Sequence, residues 1–237
     1  GWSVAAGDVN ADGFDDVVIG APGYDNETLQ LDFGRIYVFY GSAGISGNYN
    51  LSNVSGMNGF NSSFMGQAAT DKVGWALAAG NLSGDSRDDI VIGAPEWPDA
   101  VANRVGKVYV VFGTEGIIPM SLLTNANSSF VGETAGDMFG YDFAIGDVTA
   151  DGKNDLIVGA PLRHAGLVVN AGQIYIINGT LSNEMNIDGV VTSYMNGSYY
   201  GEGDTSSLGY SLDAGGDVNN DSITDFIVGA YLDDNTI

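Results

Sequence analysis

The sequence lacks cysteine altogether and contains a single histidine and only seven Lys or Arg residues among its 237 residues. Without cysteine the chain forms no disulfide and has neither a thiolate metal site nor a cysteine nucleophile. The lone His164 has no second histidine for a zinc site and no G-x-S-x-G motif to accompany it. No apolar run reaches the length of a membrane span, so we do not expect this segment to insert into a membrane.

The charge of the chain is strongly acidic. Thirty Asp and Glu residues give a net charge of −23. A field of this sign repels nucleic acid and anionic membrane surfaces, and it favours cations or basic partners. Nucleic-acid binding is therefore not expected.

The chain contains four copies of one sequence repeat. The stretch GDVNADGFDDVVIGAP (7–22) returns as GNLSGDSRDDIVIGAP (80–95), GDVTADGKNDLIVGAP (146–161) and GDVNNDSITDFIVGAY (216–231). Each copy follows a glycine–aromatic pair, and the first three precede a third apolar segment and a short SFMG, SFVG or SYYG element. The repeat units are therefore approximately 1–73, 74–139, 140–208 and a partial unit 209–237.

Each complete unit offers four short strand candidates rich in Val, Ile, Tyr and Phe, separated by glycine-containing turns. Repetition of such units predicts an all-β protein, a β-propeller built of four-stranded antiparallel blades. A Greek-key sandwich also contains many short strands, but it has no reason to repeat so closely. About three and a half blades leave open edges, which indicates a fragment of a larger ring. The remaining blades would come from the same chain or from an associated chain.

The acidic loop of each copy has the spacing of a calcium site. Calcium prefers six to eight hard oxygen ligands, and a D-x-[DN]-x-D-G loop turns alternate residues toward one centre. In the first copy these oxygens belong to Asp8, Asn10, Asp12, the Phe14 carbonyl and Asp16. An EF-hand would have glutamate at position twelve, where this loop has Ile19, so we predict a hairpin loop instead.

The other copies supply comparable ligand sets. The third offers Asp147, Thr149, Asp151, the Lys153 carbonyl and Asp155, and the fourth offers Asp217, Asn219, Asp221, the Ile223 carbonyl and Asp225. The second copy is weaker, with Asn81, Ser83, Asp85, the Arg87 carbonyl and Asp89. Its two carboxylates and nearby arginine predict low affinity or no ion. The alternative for any one loop is that Asp, Asn and Gly merely populate tight turns. Recurrence in one register favours Ca²⁺ with a structural role.

The motifs resemble the FG-GAP repeat of integrin α subunits. The matching pieces are the glycine–aromatic pairs at Gly1, Gly74, Gly140 and Gly209 and the Gly-Ala-Pro elements at 20–22, 93–95 and 159–161. The fourth copy departs, with Tyr231 in place of proline. The resemblance implies a calcium-binding propeller of up to seven blades, used outside the cell for adhesion or protein recognition.

By this resemblance, the acidic hairpins lie on one propeller face and a protein or glycan ligand binds the opposite face. The opposite loops are Gly23–Phe33, Glu96–Val105 and Leu162–Ala171. In or beside them are Arg35, Trp97, Arg104, Arg163 and His164. Trp97 either anchors a partner or folds over its own loop.

Nine Asn-x-Ser/Thr sequons indicate an exported glycoprotein. They begin at Asn26, Asn50, Asn53, Asn61, Asn81, Asn127, Asn178, Asn196 and Asn220. The alternative is that Asn, Ser and Gly cluster in turns for structural reasons. We expect an extracellular or cell-surface location.

Three functions remain open at the level of sequence. The first is adhesion or protein recognition by a non-enzymatic, calcium-binding propeller. The second is a structural scaffold in a surface layer or matrix. In the third, the propeller is a non-catalytic part of an extracellular hydrolase, and the chemistry lies in another domain.

Overall fold

The computed structural model describes residues 1–25, 32–44, 62–98, 104–116, 118, 121–123, 126–179, 188–190 and 195–232. Its strands are β1 (Ser3–Gly7), β2 (Asp16–Ala21), β3 (Arg35–Phe39), β4 (Ser62–Met65), β5 (Leu77–Gly80), β6 (Asp89–Ala94), β7 (Lys107–Val111), β8 (Ser121–Leu122), β9 (Ser128–Val131), β10 (Phe143–Gly146), β11 (Asp155–Ala160), β12 (Gln173–Ile177), β13 (Asp188–Val190), β14 (Met195–Tyr200), β15 (Leu208–Gly216) and β16 (Asp225–Ala230). The described part of the chain has no helix long and apolar enough to cross a membrane.

Four antiparallel units follow one another along the chain. Their strand orders are β1-β2-β3-β4, β5-β6-β7-β9, β10-β11-β12-β14 and β15-β16. Within each unit the strands pair antiparallel in the order in which they occur along the chain, so each unit is an up-and-down meander. The all-β prediction is confirmed, with three four-stranded propeller blades and a two-stranded fourth. We number these blades one to four.

A fifth strand, which the sequence pattern did not predict, is added to two blades. β8 pairs in parallel with β4, and β13 pairs in parallel with β9. Both added strands lie in the connection between the third and fourth strands of the following blade. In the connection of blade two, the Ile118 N–H donates to the Tyr40 hydroxyl at 2.6 Å, and the Ile118 carbonyl accepts a hydrogen bond from the Ser62 hydroxyl at 2.5 Å. Blades two and three are therefore each tied to the outer edge of the blade before them.

The hydrophobic core lies between blades. The second strand of each blade alternates, so that successive side chains face opposite neighbours. Val18, Val91 and Ile157 are fully buried and pack toward the following blade, while Ile90 and Leu156 pack toward the preceding one. Consecutive apolar residues in these strands follow from this burial on both faces.

Each end blade exposes the strand position that faces a neighbouring blade elsewhere in the chain. Ile227, the fourth-blade equivalent of Ile157, is 68% exposed, and Val17, the first-blade equivalent of Ile90, is 41% exposed. Within the described residues these two apolar faces have no neighbouring blade. Their counterparts between inner blades are the best buried residues of the chain.

The two glycine motifs meet where blades touch. A methyl group built on Gly20, Gly93 or Gly159 would overlap the carbonyl oxygen of Gly74, Gly140 or Gly209 of the following blade. The Gly-Ala-Pro glycine is therefore required by close backbone approach, not by its turn alone.

Candidate metal centres

The acidic loops connect the two innermost strands of every blade. They span residues 8–15, 81–88, 147–154 and 217–224, between β1 and β2, β5 and β6, β10 and β11, and β15 and β16. Because consecutive strands are antiparallel, these hairpins lie at one end of each blade. The loops that join second to third strands and successive blades lie at the other end.

The first loop wraps around its own carboxylates. The two oxygens of Asp8 accept the N–H groups of Asp12 at 3.1 Å and Gly13 at 2.9 Å. Asn10 Oδ1 also accepts Asp12 N–H at 2.9 Å, and Asp12 Oδ1 accepts Phe14 N–H at 2.9 Å. Alternate side chains are thereby turned to the inside of the loop.

The third and fourth loops adopt the same conformation. Asp147 accepts the N–H groups of the residues four and five positions later, and Asp217 does the same. All three loops have positive φ at their fourth and sixth positions, which are Ala11 and Gly13, Ala150 and Gly152, and Asn220 and Ser222. Three separate stretches of sequence therefore specify one loop geometry.

Ser222 is strained in this geometry, since its φ is 70° where the first and third loops have glycine. We expect Ser222→Gly to raise the free energy of unfolding by about 0.5–1 kcal/mol, measured by urea denaturation. The matched control is Ser86→Gly, at the sixth position of the second loop, where φ is not positive. There glycine only adds freedom to the unfolded chain and is expected to cost about 0.5 kcal/mol. Equal effects at both positions would contradict the assignment of strain to Ser222.

The ninth-position aspartates of the first three loops tie each of those loops to the end of the third strand of its blade. Asp16, Asp89 and Asp155 are fully buried. One oxygen of each accepts N–H groups of its own loop, and the other accepts the N–H of Gly41 at 2.8 Å, Gly113 at 3.1 Å or Gly179 at 3.1 Å. Burial raises the pKa of Asp16 and of Asp89, and these backbone hydrogen bonds partly offset the rise.

The donors of the first, third and fourth loops fit a hard cation. Each combines three carboxylates with a neutral oxygen at the third position. In the third loop Thr149 Oγ1 is buried and has no hydrogen-bond partner among the described residues, as expected of an oxygen reserved for an ion. Across the described ranges, no group of three or more acidic or histidine side chains already has a metal-binding arrangement. The predicted ligands of these three loops therefore stay a prediction, including the carbonyls of Phe14, Lys153 and Ile223.

The second loop differs from the other three. Its first position is Asn81, whose Oδ1 accepts Gly84 N–H at 2.7 Å, one residue earlier than the corresponding bond elsewhere. Asp85 is paired with Arg87, and Ser83 donates its N–H to Asp89. The side chains predicted from sequence as a weak site are thus brought together with an arginine among them.

The opposite face contains charged residues that join blades. Arg163 donates to Glu133 at 3.0 Å and to the hydroxyl of Thr134, and lies 3.4 Å from Asp137. Glu133 also accepts the hydroxyl of the buried Tyr175 at 3.0 Å. Arg163 of blade three therefore stabilises the contact between blades two and three, a role that the repeat pattern of the sequence does not indicate.

A second network joins the first and second blades. Glu96 pairs with Lys72 at 2.8 Å and with Arg104 at 3.3 Å. Trp97 packs against the core between these blades and lies 5.1 Å from Lys107 Nζ, which favours its folding over its own loop. His164 is exposed. Parts of the loops predicted to bind ligands, residues 26–31 and 99–103, lie outside the described residues.

Two buried aspartates occupy equivalent positions at these junctions. Asp71 and Asp137 are at most 1% exposed, and Oδ1 of each lacks a hydrogen-bond partner among the described residues. Burial raises the pKa of each to about 6, opposed at Asp71 by N–H groups of Ala68 and Gln67 and at Asp137 first by Arg163. Both carboxylates therefore bind a proton more tightly in the folded chain.

This raised pKa predicts a pH dependence of stability. Because the folded chain binds the Asp71 proton more tightly, this proton contributes its full stabilisation at pH values below the ordinary pKa of 3.8. The stabilisation is lost as the pH rises through the folded-state pKa of about 6. In urea denaturation at pH 4 to 7, we expect Asp71→Asn to gain stability relative to wild type as pH rises. Glu202→Gln, at an exposed carboxylate, controls for the change in net charge. A difference between Asp71→Asn and wild type that does not vary with pH would contradict the prediction.

The aromatic residues after the four repeat glycines form a continuous row, which is extended by Tyr231 of the fourth Gly-Ala-Tyr element. Ring centroids are 4.8 Å apart for Trp2 and Trp75, 5.5 Å for Trp75 and Tyr141, 4.9 Å for Tyr141 and Tyr210, and 4.7 Å for Tyr210 and Tyr231. The four rings that follow the repeat glycines line an open depression of about 370 Å³. Trp75 packs against the core between the second and third blades, whereas Trp2 is 65% and Tyr210 38% exposed. The row is a partly solvent-facing inner surface of the blades.

The sequons fall in different environments. Asn196 is exposed, whereas Asn178 Oδ1 is buried and Asn127 Oδ1 accepts Phe112 N–H at 2.8 Å. Asn81 and Asn220 lie inside the acidic loops. The remaining sequons, at Asn26, Asn50, Asn53 and Asn61, lie outside the described residues.

Comparison with known proteins identifies the repeats. The FG-GAP repeat family matches residues 1–39, 73–111 and 139–177. Integrin alpha pat-2 of Caenorhabditis elegans is 30% identical over 250 residues, covering 99% of this chain and 18% of the relative. Integrin alpha-5 of Xenopus laevis is 27% identical over 244 residues, covering 100% of this chain and 20% of the relative.

The chain is also similar to a second kind of relative. Phosphatidylinositol-glycan-specific phospholipase D of Mus musculus is 29% identical over 156 residues, covering 64% of this chain and 18% of the relative. The chain thus spans about a fifth of the length of the curated relatives it matches.

Proposed function

Since this chain belongs to the FG-GAP repeat β-propellers, we propose that it is a calcium-binding recognition module of an extracellular protein. The observation that carries the proposal is the identical conformation of the first, third and fourth loops around equivalent oxygen donors. Unrelated turns would have no reason to repeat left-handed backbone at the same two positions. The orphaned hydroxyl of Thr149 adds independent support.

The ion would act structurally. It would be held by three carboxylates and a neutral oxygen at the end of the inner hairpin, where it offsets their mutual repulsion. The buried ninth-position aspartate is hydrogen-bonded to the end of the third strand, so an ion that orders the loop would also stabilise the packing of that strand in the blade. Calcium binding to the folded chain alone would raise its stability by mass action.

Calcium titration of the metal-free chain tests this proposal. We expect isothermal titration calorimetry to give three ions per chain, and EDTA to lower the melting temperature reversibly. Asp12→Asn and Asp151→Asn should each remove one ion. Asp15→Asn is the matched control, because Asp15 is an exposed carboxylate of the first loop that lies off the ligand register. Absence of binding heat together with an EDTA-insensitive melting curve would refute calcium binding.

A ligand would bind at the end of the blades opposite the hairpins. The loop Leu162–Ala171 supports this assignment, because paired hydrogen bonds between Ala165 and Val168 order it while Leu167 at its tip is 99% exposed. We expect Leu167→Ser to weaken binding to a protein or glycan ligand without changing calcium stoichiometry. Unchanged affinity for an identified ligand would exclude this loop from the interface.

A non-catalytic propeller attached to a hydrolase is the second candidate, favoured by the similarity to phosphatidylinositol-glycan-specific phospholipase D. In either case we propose that this segment itself performs no chemistry. The complete gene distinguishes the classes: stalk or anchor domains support adhesion, array-forming repeats support a scaffold, and a catalytic domain supports the hydrolase. A catalytic domain in the same gene would displace adhesion as the leading function.

A further inference from the structure

The second hairpin keeps its place in the blade but has lost the donors of a calcium site. Asn81 and Ser83 stand where the first loop has Asp8 and Asn10. The Asn81 side chain closes a shorter turn onto Gly84. Only Asp85 and Asp89 remain as carboxylates in the ligand register, and Asp89 is used by backbone N–H groups.

Arg87 supplies a cation from within the chain. Its guanidinium lies 2.9 Å from Asp85 Oδ2 and 4.0 Å from Glu115, and its Nε donates to the Gly113 carbonyl at 3.2 Å. The other oxygen of Asp85 accepts the N–H groups of Ser86 and Arg87. One oxygen of Asp85 is therefore neutralised by a cation of the protein itself, whereas both oxygens of Asp12 accept only from neutral groups, the Phe14 N–H and the Asn10 amide. The side chain of Arg87 is only 24% exposed, so the pair is held against the loop.

The contact to Gly113 matters because Gly113 is the residue whose N–H binds Asp89. Arg87 thus joins the hairpin to the end of β7, the same connection that the ninth-position aspartates make in the first three blades. The backbone has changed with the side chains, since Ser86 lacks the positive φ found at the sixth position of the other three loops.

We propose that the guanidinium of Arg87 takes the role of the bound cation in the second hairpin. This hairpin is folded independently of calcium and lies between two hairpins that require it. The inference rests on the proposed calcium function of the other loops. An arginine keeps its charge at every relevant pH and cannot be removed by a chelator.

Hydrogen exchange with and without EDTA tests the inference. In the wild-type chain, EDTA is expected to speed exchange at Asp12, Gly13, Asp151 and Gly152 and to leave Leu82, Ser83, Gly84 and Arg87 unchanged. Arg87→Ala should speed exchange in the second loop roughly tenfold, equally with and without calcium. Lys153→Ala is the matched control, since Lys153 holds the same loop position in the third blade and is exposed.

Restoring the ligands provides the converse experiment. The variant Asn81→Asp/Ser83→Asn/Ser86→Gly/Arg87→Phe copies the first loop, and it is expected to bind a fourth ion and to become EDTA-sensitive in the second loop. Four ions in wild type, or an EDTA response of the wild-type second loop, would overturn the inference while leaving the proposed function intact. If no loop responds to calcium, the proposed function fails. The role of Arg87 is then decided by whether Arg87→Ala frees the second loop, and unchanged exchange in that variant overturns it.

Discussion

Gly159→Ala is expected to lower the free energy of unfolding by about 3 kcal/mol, because the added methyl group overlaps backbone and not a movable side chain. Gly159 lies in β11 directly against the carbonyl of Gly209 in the fourth blade. Neither β11 nor β15 can move away without breaking the backbone hydrogen bonds to its neighbours in its own sheet. Relief of the overlap therefore requires the two blades to separate, which opens the core between them.

The matched control for this prediction is Gly229→Ala, at the same repeat position in the fourth blade. A methyl group there meets only the hydroxyl of Ser211, which can rotate away. Urea denaturation of both variants should show a large loss for Gly159→Ala and a loss below about 1 kcal/mol for Gly229→Ala. Similar losses would mean that glycine is needed for strand conformation and not for the approach of blades.

Ile157→Ala is expected to cost about 3 kcal/mol, within the range for truncating a fully buried isoleucine. Ile157 is 0% exposed and packs in the cluster between the third and fourth blades, with Ile174 and Phe226 among its members. The cavity left by alanine is lined by strands held in two different sheets, so it cannot collapse easily.

Ile227→Ala makes the same chemical change at the equivalent position of the fourth blade, where the side chain is 68% exposed. We expect its cost to stay below about 1 kcal/mol. Thermal and urea unfolding of the two variants measure the difference between them. A cost at Ile227 as large as that at Ile157 would show that this face is covered in solution, for instance by a second copy of the chain.

Much of the fold followed from the repeats, for a physical reason. Strands such as DLIVGA are short, rich in Val and Ile and bounded by Asp and Gly, so their type is decided locally. Because these strands recur in every repeat, the fold must be one in which each repeat unit packs against the next unit of the same kind. The buried ninth-position aspartates were also predictable as the last residues of the loop register, although their bonds to Gly41, Gly113 and Gly179 were not.

Other features depend on contacts between distant residues and left no local pattern. Ser121–Leu122 pairs with β4 over only two residues, which is too short for an alternating pattern to mark it as a strand in the sequence. Arg163 has the sequence context of an exposed loop residue, yet Glu133 and Asp137 lie some thirty residues away in the chain and hold it. The altered turn of the second loop likewise depends on the reach of Arg87 to Gly113.

The strands that each blade lends to its predecessor also bear on synthesis. Among the described residues, the outer edge of β4 pairs only with residues 121–122, which are made more than fifty residues later. An unpaired strand edge is a template for association with other chains, so a blade that has left the ribosome is prone to aggregate until the next blade has been synthesised. Completion of the molecule is therefore directional, and a ribosome that stalls within the second blade leaves the first with its edge open to neighbours.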